Sequence, residues 1–323
     1  MKLALIVIVA VVIGLLLVIE VGLRSLFGFG NPLIYIGDQQ IGYLLAPNQR
    51  TRRFGNRIEI NEYSMRSEAI TPIPAPTTLR ILLLGDSIAN GGWWTDQKNT
   101  ISELMMRSLS ALHTEKYQQV EVFNASANSW GPRNELAYLQ RFGNFQAQAV
   151  VLLINTDDLF ATAPTSLPVG RDRNYPDHQP PLALVEVWQR YITKQKPIPE
   201  IIALQNEPGD RVGVNLDAIA QIKVLNRERD SQFLLVMTPL LREIGDPGPR
   251  DYEIEARQRL TDFTQAQQIK YIDVLPIFNS TVNVKALYHD HIHLNLQGNQ
   301  LVSQLIERLL MELMKEKLPT VLD

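Results

Sequence analysis

Apolar residues in this chain gather in short runs, separated by longer stretches where they recur every three or four positions. The runs are Ile81 to Leu84, Val120 to Phe123, Ala149 to Ile154, Phe233 to Met237 (stopped by Pro239) and Ile269 to Val274. Each is the length of a strand; three are apolar on both faces, while Glu121 interrupts the second run and Lys270 and Asp273 interrupt the fifth. Four stretches carry helical spacing. Ser102 to His113 places Leu104, Met105, Leu109 and Leu112 together, and Arg133 to Phe145 does the same with Leu136, Leu139 and Phe142; Tyr252 to Gln267 and Leu296 to Met314 complete the set. Strands alternating with helices predict a parallel sheet with helices on both faces, joined by right-handed crossovers.

One run is of a different kind. Leu3 to Ile19 holds no charge and no proline, and the apolar character resumes past Glu20. At about 1.5 Å per residue it is just long enough to cross a bilayer core. A cleaved signal peptide would have a shorter run and a small-x-small site after it, which is missing here. A buried soluble helix would not be apolar on every face at the chain terminus. The expectation is an uncleaved anchor over residues 1–24, making a single-pass membrane protein. Lys2 flanks one end and Arg24 the other, a weak asymmetry read as N-terminus inside and the large domain extracytoplasmic.

Residues 25–78 read as a connector with one possible added strand, Arg57 to Asn61, and a stiff lead-in at Pro72, Pro74 and Pro76. Residues 79–323 form the main domain. Within it, residues 161–213 break the rhythm with eight prolines, from Pro164 to Pro208, and a possible helix between Leu182 and Lys194. So long an insertion after a strand reads as a rim or lid over a site, or as a tolerated surface loop.

Composition narrows the chemistry. The 323 residues carry a net charge of -3, which leaves no basic footprint for nucleic acid. There is no cysteine, so disulfides, thiolate catalysis and thiolate zinc sites are excluded.

The candidate chemistry sits at two distant points. The first strand runs straight into Gly85-Asp86-Ser87. The carboxyl end of a buried strand is where open α/β sheets place their ligands. Far downstream, Asp290 and His293 share one loop before the final helix, with Asn295 as its cap. Serine alone is a weak nucleophile; it needs a base within hydrogen-bond reach and a third group to hold that base. The simpler readings are an N-cap at Asp86 or Ser87 and polar loop residues at the other end. His289, His291 and His293 also alternate, which on an extended strand would make a metal face, but no acidic residue stands at a ligand spacing. No metal and no cofactor is expected.

Taken together, the strand followed by Gly85-Asp86-Ser87 and the Asp290-x-x-His293 block before a terminal helix resemble the SGNH, or GDSL-type, hydrolases, over roughly residues 79–310. The resemblance implies a flavodoxin-like three-layer α/β/α sandwich. It implies Ser87 as nucleophile, His293 as base, Asp290 as orienter, and the Ser87 N–H as one oxyanion donor. The family's second-block glycine falls at Ser129, whose backbone N–H remains. The third-block asparagine falls at Asp157, within Asn155-Thr156-Asp157-Asp158. An ionised carboxylate there would repel an oxyanion. Either burial keeps Asp157 neutral, or Asn128 or Asn155 supplies the amide, or the site is inactive.

Among the remaining residues, Trp93 and Trp94 are candidate substrate contacts or core packing, Trp188 is a candidate substrate contact with Tyr191 beside it as a lid contact, and Arg66 reads as a surface arginine rather than an anion-binding group at the site. The resulting expectation is a membrane-anchored serine hydrolase of acetyl or acyl esters on a small molecule, glycan or lipid. Acyl transfer to a polysaccharide and non-catalytic carbohydrate binding on the same fold stay open.

Overall fold

A computed structural model of the chain describes residues 1–111 and 117–316. The apolar N-terminal run forms helix α1 (Lys2–Gly22), which continues through a wider turn, Leu23–Phe27. It is long and apolar enough to cross a membrane, and its apolar stretch is unburied by the rest of the chain, while Glu20 near its end is buried. That length and position fit a membrane span or a signal sequence. The helix stops at Gly28, whose φ of 75° is left-handed. Only glycine fits there, since a Cβ would lie 1.8 Å from the Arg52 carbonyl oxygen.

Two antiparallel hairpins follow: β1 (Tyr35–Asp38) with β2 (Gly42–Leu45), and β3 (Gln49–Arg53) with β4 (Asn56–Ile60). The expected strand at Arg57 to Asn61 is therefore β4, and three more strands lie beside or before it. Then comes the main alternation: β5 (Thr78–Gly85), the single turn α2 (Ser87–Asn90), α3 (Ile101–Ala111), β6 (Gln119–Ser126), α4 (Pro132–Phe142) and β7 (Ala149–Asn155). The chain continues through α5 (Ala183–Val187), α6 (Pro199–Gln205), α7 (Arg211–Glu228), β8 (Gln232–Thr238), α8 (Asp251–Ala266), β9 (Lys270–Asp273), α9 (Leu275–Asn279) and α10 (Leu296–Glu316). Leu112 and His113, placed in the first helix from sequence, lie outside the described residues.

The central sheet has five parallel strands in the order β6-β5-β7-β8-β9. This is a flavodoxin-like α/β sheet, with its order reversing between β5 and β7. Alternate residues of the strands serve opposite cores. Leu82, Leu84, Val150, Leu152, Leu235 and Met237 face α4, α7 and α8. Ile81, Leu83, Val151, Leu153, Leu234 and Val236 face α3 and α10. The hairpins join the first core through Tyr35, Tyr43, Leu45, Ile58 and Ile60, so residues 35–70 are packed into the body of the protein and are more than a link.

Helix α7 was not anticipated. Its apolar positions Val212, Leu216, Ile219 and Ile222 share the core-facing side with buried Asn215 and Asn226. Asn215 is there to bind backbone: its amide donates to the carbonyls of Leu159 (3.2 Å) and Ala161 (3.0 Å), fixing the chain that leaves β7.

Candidate active site

The carboxyl end of β5 places a serine at the point where the strand order reverses. Gly85 is required by space there, because a Cβ would approach the Leu153 carbonyl oxygen to 2.7 Å. Asp86 caps the turn α2 by accepting the Ile88 N–H at 2.7 Å. Ser87 opens that turn, 8% exposed.

The loop before α10 meets it. His293 Nε2 lies 2.9 Å from Ser87 Oγ, and His293 Nδ1 lies 2.7 Å from Asp290 Oδ2. Asp290 Oδ1 accepts the N–H groups of Ile292 (2.9 Å) and His293 (2.8 Å). Burial acts to raise the Asp290 carboxyl, but the His293 ring and these two N–H groups outweigh it and hold the group below the usual range. The loop is braced from outside: Leu241 donates to the His291 carbonyl (2.9 Å) and Tyr288 Oη to the Pro239 carbonyl (2.7 Å). Asn295 caps α10 as expected, accepting the N–H of Gln297 at 2.9 Å. The other histidines do not converge with His293 as a metal face: His289 stacks on Trp94 and His291 is exposed.

Beneath the serine lies a group of buried acids that sequence reasoning missed. Asn155 donates to Asp86 (2.8 Å) and to Asp158 (3.0 Å). Burial pushes the Asp86 carboxyl up to about 6, against the lowering effect of the Ile88 N–H, the His293 charge and the Asn155 amide. Burial also raises Asp158 and Glu135 well above the ordinary range, and Asp86 nearby adds to both. The signals were there in part: Asp158 stands three residues after Asn155, a capping spacing, and Glu135 interrupts the apolar face of α4 beside Leu136.

The four candidate oxyanion donors separate. Asn128 and Ser129 line the cavity in front of Ser87. Ser129 has a φ of 56°, the left-handed conformation that favours glycine, and its Oγ accepts from Tyr175 Oη at 2.9 Å. Among the described residues, neither the Ser87 nor the Ser129 N–H has a hydrogen-bond partner within the protein. Asn155 has committed its amide to the two acids. Asp157 does not line the cavity: the short helical turn Thr156–Phe160, capped by Asn155, turns it outward to an exposed position facing Arg242. The carboxylate that would repel an oxyanion is therefore directed elsewhere.

The cavity measures about 260 Å³ and is largely aromatic, with Trp93, Trp94, Tyr175 and Tyr191 on its walls. The Trp94 ring centroid lies 4.2 Å from that of His293, so the indole also packs on the imidazole. Trp188 is not on the wall and is 62% exposed. Arg66 is not a surface residue. It is wholly buried and donates to the carbonyls of Asn90 (2.5 Å), Gly92 (2.6 Å) and Thr95 (2.5 Å), tying down the loop that carries both tryptophans. Burial brings its pKa down to about 9.

With this fold and this geometry, the chain belongs to the GDSL-like lipase/acylhydrolase family, whose model matches residues 83–301. It is an SGNH-type ester hydrolase. Similar solved structures include an acetylxylan esterase from Geobacillus stearothermophilus, 14% identical with a TM-score of 0.46 over 72% of this chain and 95% of that one. An acetyl xylan esterase named AlAXEase is 14% identical with a TM-score of 0.47 over 71% and 98%. A lipase/acylhydrolase from Enterococcus faecalis is 15% identical with a TM-score of 0.43 over 72% and 94%. No curated protein matches the chain.

Proposed function

We propose that Ser87, His293 and Asp290 are the nucleophile, base and orienter of this esterase. One observation carries the reading: the unbroken relay from Ser87 Oγ through His293 to Asp290, at 2.9 and 2.7 Å, opening on the cavity. Ser87 Oγ attacks the ester carbonyl as its proton passes to His293 Nε2. The N–H groups of Ser87 and Ser129, with the Asn128 amide, receive the developing oxyanion; losing one such donor typically costs about 10²–10³ in rate. The intermediate collapses, His293 protonates the departing alcohol, and an acyl group remains on Ser87. Water then repeats the sequence and releases the acid.

In this reading the helix from Lys2 stays on the protein as a single-pass anchor, with the hydrolase domain extracytoplasmic. Its base is wired into that domain: Glu20 accepts the N–H groups of Ala183 (2.8 Å) and Leu184 (3.0 Å), and Arg24 donates to the Pro181 carbonyl (3.2 Å). Cleavage would leave the start of α5 without these acceptors. Exposed Leu182, Trp188 and Ile192, close to this junction, suit a membrane interface. The insertion at residues 161–213 contributes Tyr175 and Tyr191 to the cavity, so it serves as a wall of the site. The substrate is a small-molecule, glycan or lipid ester.

The test is covalent labelling of the full chain in detergent by a fluorophosphonate. Labelling lost in both Ser87→Ala and His293→Ala supports an activated serine; equal labelling of Ser87→Ala refutes it. Protease digestion that spares the domain in right-side-out membrane vesicles but cuts it in inverted vesicles would overturn the orientation.

A further inference from the structure

The wall of the cavity is one-sided in charge. Among the described residues it includes two arginines, Arg53 and Arg190, and no carboxylate. Behind them stands a single acid, Glu186. Its Oε1 accepts from Arg53 Nη2 and from Arg190 Nε (2.8 Å), and its Oε2 is taken by the Gly30 N–H (2.6 Å). One negative charge thus serves two guanidinium groups. The Arg53 side chain is only 7% exposed, yet its Nη1 has no hydrogen-bond partner. Holding a part-satisfied cation at a buried wall is costly; the Phe29 ring, 4.4 Å from the Arg53 guanidinium carbon, offsets part of that cost but supplies no acceptor for Nη1. Burial indeed lowers the Arg53 pKa, despite Glu186. The same wall carries neutral polar groups, Asn31, Thr51 and Asn174, suited to hydroxyl-bearing ligands.

We infer that Arg53 and Arg190 form an anion subsite in the catalytic cavity, so that the preferred ester carries a carboxylate or phosphate near the acylated hydroxyl. This rests on the esterase reading above and sets its substrate class. Guanidinium groups match the planar oxygens of a carboxylate or the oxygens of a phosphate with paired N–H donors. Arg190 is the adjustable member: its side chain is 20% exposed, and removing its charge leaves Arg53 and Glu186 matched one to one.

The experiment compares three acetylated probes on the full chain in detergent: methyl glucoside, methyl glucuronide and methyl glucoside 6-phosphate. The wild type is expected to favour at least one anionic probe over the neutral one by about tenfold or more in kcat/KM. Arg190→Gln should reduce that ratio to within about threefold of unity. Preference for the glucuronide assigns the site to carboxylates; preference for the 6-phosphate assigns it to phosphates. Equal turnover of all three, or a ratio unchanged in Arg190→Gln, overturns the inference. Calorimetry on Ser87→Ala with the unacetylated sugars separates this from the esterase reading. Anion-selective binding that weakens about tenfold with an added Arg190→Gln supports the subsite even if no ester is turned over. Failure of both anionic sugars to bind overturns it even if hydrolysis proceeds.

Discussion

Replacing Asp290 with asparagine isolates what the carboxylate does for His293. Asn is nearly the same shape, and two backbone donors dictate how it must sit. The N–H groups of Ile292 and His293, at 2.9 and 2.8 Å, require an acceptor, so the amide oxygen has to take the place of Oδ1. The amide NH₂ then faces His293 Nδ1, where Oδ2 stood at 2.7 Å. An NH₂ there can only donate, so Nδ1 becomes an acceptor and the ring proton moves to Nε2. Nε2 then donates toward Ser87 Oγ and can no longer take its proton. Flipping the amide would restore the tautomer but set two donors against two donors. A wrong tautomer of this kind costs about 10³–10⁴ in kcat, or roughly 4–5 kcal/mol of barrier. Stability should change little, by less than about 1 kcal/mol, because the pair is partly solvated and both backbone bonds survive. The assay is the initial rate on an activated acetyl ester, alongside thermal unfolding of the same preparations. A loss under tenfold in a folded Asp290→Asn protein would refute the assigned role of Asp290.

Three other outcomes follow from the same geometry. The Asp86 carboxyl titrates near 6 when folded, against an ordinary 3.8, so folding favours its protonated form. Its contribution is fully present below 3.8 and is lost as pH rises through about 6. Between pH 4 and 8 the wild type should therefore lose up to about 3 kcal/mol relative to Asp86→Asn. Parallel stability profiles for the two proteins in denaturant titrations would contradict this. Arg66→Met leaves three carbonyls of the 90–95 loop without their buried donor, and should lower stability by about 3 kcal/mol in chemical denaturation. A loss below about 1 kcal/mol would mean that the loop holds itself. Ser129→Gly relieves a left-handed residue by about 1 kcal/mol and gives up the Tyr175 bond, so stability should move by less than about 1 kcal/mol. Its kcat should stay within about threefold, since the N–H is the donor; a tenfold loss would assign the work to the hydroxyl.

Strands β5, β7 and β8 were legible because they are buried on both faces and carry the uninterrupted apolar runs Ile81 to Leu84, Ala149 to Ile154 and Phe233 to Met237. Ser87, Asp290 and His293 were legible because each belongs to a compact local motif. What could not be read was set by distant partners. Arg66 looks like a surface arginine until the carbonyls of Asn90, Gly92 and Thr95 are folded around it. Asp157 looks like an intruder in the oxyanion hole until the Asn155 cap turns it away. The hairpin of β1 and β2 was hidden by its four-residue strands, which are too short to show a period. Helix α7 was hidden because Asn215 and Asn226 occupy apolar positions for the sake of backbone carbonyls. Arg53 and Arg190 are far apart in sequence, and both pair with Glu186 at one wall.

The central claim is that an acyl group passes through Ser87. It is tested most directly by quenching the full-length protein in acid during turnover of an activated acetyl ester, then mapping the peptides by mass spectrometry. The account predicts one acetyl group, carried on Ser87 and absent from Ser87→Ala, with turnover abolished in that variant. An acetyl group on another residue, or continued turnover by Ser87→Ala, would contradict it.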